Sequence, residues 1–78
     1  MPQPINRRLN PKKLLLSKWT AAMPRDKEKH FIVTQVITPD QPDLPIEWVE
    51  LEAVYSHRSY SLPWRELTDT SVWLQGWQ

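Results

Sequence analysis

The residues best supplied for chemistry are cations. Lys12, Lys13, Lys18, Arg25, Lys27 and Lys29 crowd the first part of the chain, with Trp19 among them. Cations beside an accessible aromatic ring suit a phosphate backbone with stackable bases. A second set is acidic. Trp48, Glu50 and Glu52 lie two apart, so an extended chain puts all three on one face. That face, or an open sheet edge, suits a protein partner. The two sets belong to a divided chain. Residues 1–29 carry eight cations against two carboxylates, a balance of +6, and residues 30–78 carry two against seven, a balance of −5. Such asymmetry marks either a nucleic-acid-binding arm or two ends of one domain that attract each other.

Catalytic groupings are poorly supplied. Ser56, His57 and Ser59 are neighbours in sequence, which does not make a triad. His30 and His57 without any cysteine make a thin metal site. Glu50 and Glu52 read as a solvated row on a polar face rather than an acid–base pair. A single glycine excludes a P-loop and a dinucleotide-binding fingerprint. No catalytic residue, metal or cofactor is therefore assigned, and the expectation is a non-enzymatic protein.

The elements that must position these residues are short. "MPQPINRRLNP" is polar, proline-rich and aperiodic, so residues 1–11 read as a disordered lead-in and 12–78 as one small domain. "LLLSKWTAA" reads as a first strand, with Trp19 and Ala21 on one side and Lys18 and Thr20 on the other. "MPRDKEK" is a charged turn. "HFIVTQVIT" is rich in β-branched residues and reads as a second strand. It places Phe31, Val33 and Ile37 on one face and Ile32 and Val36 on the other. "PDQPDLP" must be a loop. "IEWVELEAVY" alternates, with Val49, Leu51, Ala53 and Tyr55 toward the core. "SYSLPW" gives a fourth strand with Tyr60 and Leu62 inward, and "PWREL" a single helical or 3₁₀ turn. "TSVWLQ" reads as a last short helix, stopped by Gly76 in a left-handed conformation, with Trp77 packing back on Val72.

There are five tryptophans and no cysteine. Burying one indole removes roughly 200 Å² from water, worth about 5 kcal/mol gross. Three left wet would forfeit about a whole margin of domain stability. Trp19, Trp64 and Trp73 are the expected core, and Trp48 the expected exposed ring, since it shares a face with two glutamates. The tail should be ordered to about Trp77.

The segments "NPKKLLLSKWTA", "KEKHFIVT", "WREL" and "WLQGW" resemble a family of small tryptophan-rich bacterial proteins of unknown function. The resemblance runs from Leu9 to Trp77. It implies a free-standing bacterial module and brings no catalytic residue, cofactor or partner with it.

The fold expected is α+β: a curled antiparallel meander of about four strands with a short C-terminal helix, for which a small SH3-like barrel is one form. The leading function is binding of RNA or a ribonucleoprotein through Lys12, Lys13, Lys18, Arg25, Lys27 and Lys29. The alternative is a protein-interaction module using Trp48, Glu50 and Glu52 or a sheet edge. The only uninterrupted apolar run of "RRLNPKKLLLSKW", Leu14–Leu16, is too short for an export signal or a membrane span, so a cytoplasmic location is expected.

Overall fold

The computed structural model describes residues 7–78. Five strands make one antiparallel sheet: β1 (Lys18–Arg25), β2 (Glu28–Ile37), β3 (Trp48–Ala53), β4 (Ser59–Pro63) and β5 (Trp73–Gln75). Their order is β4-β3-β2-β1-β5, and the sheet is not closed. The four strands expected from alternation form a meander, to which β5 is added beside β1. Single 3₁₀ turns lie at Pro11–Lys13 and Trp64–Thr68. Among the described residues no helix is long and apolar enough to cross a membrane.

One face of the sheet carries the core. Trp19 pairs with Phe31, Phe31 with Ala53, and Val33 with Leu51, so alternate residues of three strands stack in register. All of these are buried, together with Val49, Trp73, and Leu14 and Leu67 from outside the sheet. Trp19 and Trp73 are buried, Trp64 packs half-buried against them, and Trp48 is exposed. The Phe31 and Trp73 rings meet edge-on, with centroids 5.1 Å apart.

The hairpin between β1 and β2 turns on Asp26 and Lys27, with φ of 53° and 63°. Arg25 pairs with Glu28 across it. Positive φ at both central positions is the type I′ geometry, whose twist matches the strands it joins.

Several expectations change. The C-terminal helix is absent. Asp69 does start a turn: it accepts from the Ser71 N–H at 2.9 Å, and its carbonyl from the Trp73 N–H at 3.0 Å. The chain then leaves as β5, because β1 presents a free edge. Ala21, Thr20 and Trp19 pair with Trp73, Leu74 and Gln75 and satisfy backbone groups that a helix would leave bare. Gly76 is left-handed, with φ 77°, but it ends a strand. Val72, the expected partner of Trp77, is exposed, and the Trp77 Nε1 donates instead to the Phe31 carbonyl at 2.9 Å.

In β2 the face assignment changes midway. Val33 pairs with Leu51, but Gln35 pairs with Glu50, so Thr34 is an extra residue. This bulge shifts the alternation. Val36 then joins the core face opposite Val49, and Ile37 moves to the outer face opposite Trp48. Tyr55 is exposed because β3 ends at Ala53. The segment Leu14–Ser17 is not strand. Asn10 caps the first 3₁₀ turn by accepting from the Lys12 N–H, and Leu16 turns the chain at φ 66°.

Of the lead-in assigned to residues 1–11, residues 1–6 lie outside the described residues. Arg7 is fastened to the domain. Its guanidinium donates to the carbonyls of Leu67 at 2.6 Å and Trp73 at 2.7 Å, and sits 5.2 Å from the Trp19 ring centroid.

Two stability changes should follow. Lys27→Gly relieves about 1–2 kcal/mol of left-handed strain against about 0.5–1 kcal/mol of added chain flexibility. The urea midpoint should therefore rise by the equivalent of about 0.5–1 kcal/mol. Arg7→Ala removes charge-assisted bonds to two carbonyls and a contact on Trp19, so it should lower stability by about 2 kcal/mol in the same assay.

Candidate functional site: the two faces of one sheet

The cations do not converge. Lys12 and Lys13 lie in the first 3₁₀ turn, and Lys12 borders a hollow shared with Thr34 and Thr38, near the end of β2. Arg25 and Lys27 flank the hairpin turn at the other end, and Lys29 follows Glu28. A strand advances about 3.3 Å per residue, so the two groups stand about 20–30 Å apart. Lys18 lies between them, opposite Ile32. Pairing of β1 with β2 places Arg25 against Glu28, not against another cation. The aromatic ring beside these lysines is not Trp19, which is 1% exposed. Two others fill that place: Trp77, whose ring centroid lies 4.8 Å from Lys18 Nζ, and the exposed Tyr55, 6.0 Å from Lys27 Nζ.

Trp77 was not legible as a surface residue, since it was expected to close a helix. Instead Gly76 turns the tail across the outer face. The Thr20 hydroxyl donates to the Gly76 carbonyl at 2.7 Å and accepts from the Gln78 N–H at 3.0 Å. Trp77 thereby rests beside the His30 ring, 5.9 Å away, and remains 44% exposed.

Trp48, Glu50 and Glu52 do share the outer face. They pair in turn with Ile37, Gln35 and Ile32 on β2, and with Pro63, Ser61 and Ser59 on β4. Trp48 is 47% exposed. With Ile37, Pro39, Leu44 and Pro45 it lines a hollow of about 210 Å³, so the proline-rich loop extends the apolar surface of the strand. Glu52 meets Nδ1 of His57 at 3.1 Å, and His30 Nε2 lies 2.9 Å from the Gln78 carbonyl. The two histidines thus have separate partners. Among the described residues no three metal-ligating side chains come together.

The inner face holds a feature that sequence reasoning missed. Pairing of β1 with β2 is regular to Thr20–His30 and resumes only at Arg25–Glu28. The extra residues bow β1 away and open a groove of about 520 Å³ lined by Ala21, Met23, Phe31, Tyr60, Leu62 and Trp73. The available signal was Pro24, which cannot donate to a ladder and marks a bulge or edge. Glu28 lies buried beside the groove. Both of its oxygens are occupied, one by the Ser56 hydroxyl and the other by the Tyr60 O–H at 2.6 Å.

Those bonds favour the carboxylate. The Ser56 hydroxyl, and then that of Tyr60, hold the Glu28 carboxyl below the usual glutamate range, while donation to Glu28 raises the Tyr60 phenol above its own. The two shifts bracket a pH window. Glu28 is depressed on folding, so its contribution is present above about pH 4.3 and is lost as pH falls through the lower folded value. Tyr60 is raised, so its contribution is present below about pH 10 and is lost as pH rises through the higher folded value. Urea midpoints measured across pH should show both limbs. Glu28→Gln should shrink the acid limb, leaving the part that Asp69 supplies through its bonds from Ser71, and Tyr60→Phe should shrink the alkaline one.

A family model described as "Tryptophan-rich protein (DUF2389)" matches residues 17–78. Comparison with curated proteins and with solved structures returned no match. The matched span includes all five strands and all five tryptophans. On that match, the chain belongs to this family of tryptophan-rich proteins.

Proposed function

We propose that this chain is a bacterial, cytoplasmic, non-enzymatic protein-interaction module that docks a partner on the outer sheet face around Trp48, Glu50 and Glu52. The observation that carries this reading is the Trp48 ring, 47% exposed at the end of a paired strand and continued by an apolar loop. Exposed indoles rimmed by polar groups are the usual anchors of protein interfaces. The neighbouring carboxylates favour a partner with basic residues around its contact pocket. We read the sheet itself as an SH3-like small barrel left open, since β5 returns to β1 after one 3₁₀ turn. The lack of cysteine suits a reducing cytoplasm.

A nucleic-acid reading keeps two specific supports, Lys18 against the half-exposed Trp77 ring and Lys27 against the exposed Tyr55 ring. The wide separation of the other cations weighs against a continuous phosphate track.

Covering the wet part of Trp48 would remove roughly 100 Å² from water, worth about 2.5 kcal/mol gross. Trp48→Ala should therefore weaken partner binding about 50-fold. It should change folding stability by less than about 1 kcal/mol, because the ring lies outside the core. Affinity capture from the native host, with and without nuclease, tests the reading. A protein retained after nuclease by the wild type and lost with Trp48→Ala supports it. Capture that vanishes with nuclease and ignores Trp48→Ala overturns it in favour of RNA.

A further inference from the structure

The geometry points to the inner-face groove as a second binding site, for an extended segment of a partner polypeptide that carries an apolar side chain beside a lysine or arginine. This site lies on the opposite face from Trp48 and does not depend on the outer-face reading.

Four observations converge on it. The groove measures about 520 Å³, within the range of pockets that hold ligands, and its floor is apolar. Phe31 and Trp73 supply crossed ring surfaces against which an aliphatic side chain packs.

The second observation is an unmet donor. Trp73 is 8% exposed, lines the groove, and its Nε1 has no hydrogen-bond partner. Three of the other four indoles donate within the domain: Trp19 to the Ser17 hydroxyl at 2.8 Å, Trp64 to the Ile46 carbonyl at 2.8 Å, and Trp77 to the Phe31 carbonyl at 2.9 Å. Among the described residues Trp73 Nε1 is the buried side-chain polar atom left over. Buried donors without acceptors are rare and unfavourable. This one is closed to solvent, so the indole must shift within the groove wall before a backbone carbonyl of an incoming chain can remove the deficit.

Third, the groove is negatively charged. Asp26, Glu28 and Glu66 border it against Arg25, and Arg58 stands beside Glu28 and Tyr60, so three carboxylates face two cations. Glu28 is committed to Ser56 and Tyr60, which leaves Asp26 and Glu66 on the rim to meet a basic side chain. This field repels a nucleic-acid backbone and favours a cation.

Fourth, β4 borders the groove through Tyr60, Ser61, Leu62 and Pro63, and it is an edge strand whose far side has no partner strand among the described residues. An open edge beside an apolar trough is suited to an extended polypeptide, which can use backbone bonds and side-chain pockets together. An isolated amine would use only the charge.

The test is selection from a library of capped random hexapeptides on the immobilised full chain, followed by titration of the strongest peptide with nitrogen-15-labelled protein. Enrichment of lysine or arginine next to leucine, isoleucine, methionine or phenylalanine is expected. The Trp73 indole N–H resonance should move on titration while those of Trp48 and Trp77 stay in place. Glu66→Gln and Asp26→Asn, both at exposed positions, should each weaken binding about fivefold. No enrichment over bare resin overturns the inference. So does enrichment of acidic peptides, movement of the Trp48 or Trp77 indoles in place of Trp73, or binding of n-hexylamine or single-stranded RNA as tight as that of the peptide.

Discussion

The pairing of β5 with β1 holds the rest of this structure in place. β5 spans only Trp73–Gln75, yet it joins the two ends of the domain. Its first residue carries Trp73 into the core against Phe31. Its last is followed by Gly76, whose N–H donates to the Lys18 carbonyl at 2.8 Å and directs the tail over the outer face. The lead-in reaches the same place, since Arg7 bonds the Trp73 carbonyl. A chain without disulfides has few other means of tying its termini down, and a two-stranded edge contact with a large ring behind it serves that end.

The inner groove is a consequence of the same arrangement. β1 is shared: its first half pairs with β2 on one side and β5 on the other. Beyond Ala21 its register with β2 breaks, and the strand bows until the hairpin turn restores it. Bulges increase local bending and re-aim side chains. Here the bend separates Met23 from the floor made by Phe31, Tyr60 and Trp73, and Glu28, bonded to Ser56 and Tyr60, ties the start of β2 to β4 and the link before it. The concavity and its unpaired indole are therefore products of strand pairing rather than of any local motif.

Much of the fold was legible because alternation is a local property. Val49, Leu51 and Ala53 read as core and are core; Trp48 read as exposed and is exposed. Trp19 and Trp73 read as buried because so short a chain without cysteine has little else to bury. The basic residues were legible as a set but not as a surface. Proximity in sequence between Lys12 and Lys29 becomes separation along β2 once the hairpin forms, so the patch implied by composition is divided.

What the sequence determined by itself was the number of meander strands, the outer position of Trp48, Glu50 and Glu52, and the left-handed conformation of Gly76. Each depends on neighbours within a few residues. Tertiary structure alone decided that residues 73–75 are strand and not helix, that Val36 and Ile37 exchange faces, and that Trp73 borders a groove. Those outcomes depend on partners 11 to 56 residues away. The backbone adopts whichever local conformation lets distant hydrogen-bonding edges and apolar faces close on one another.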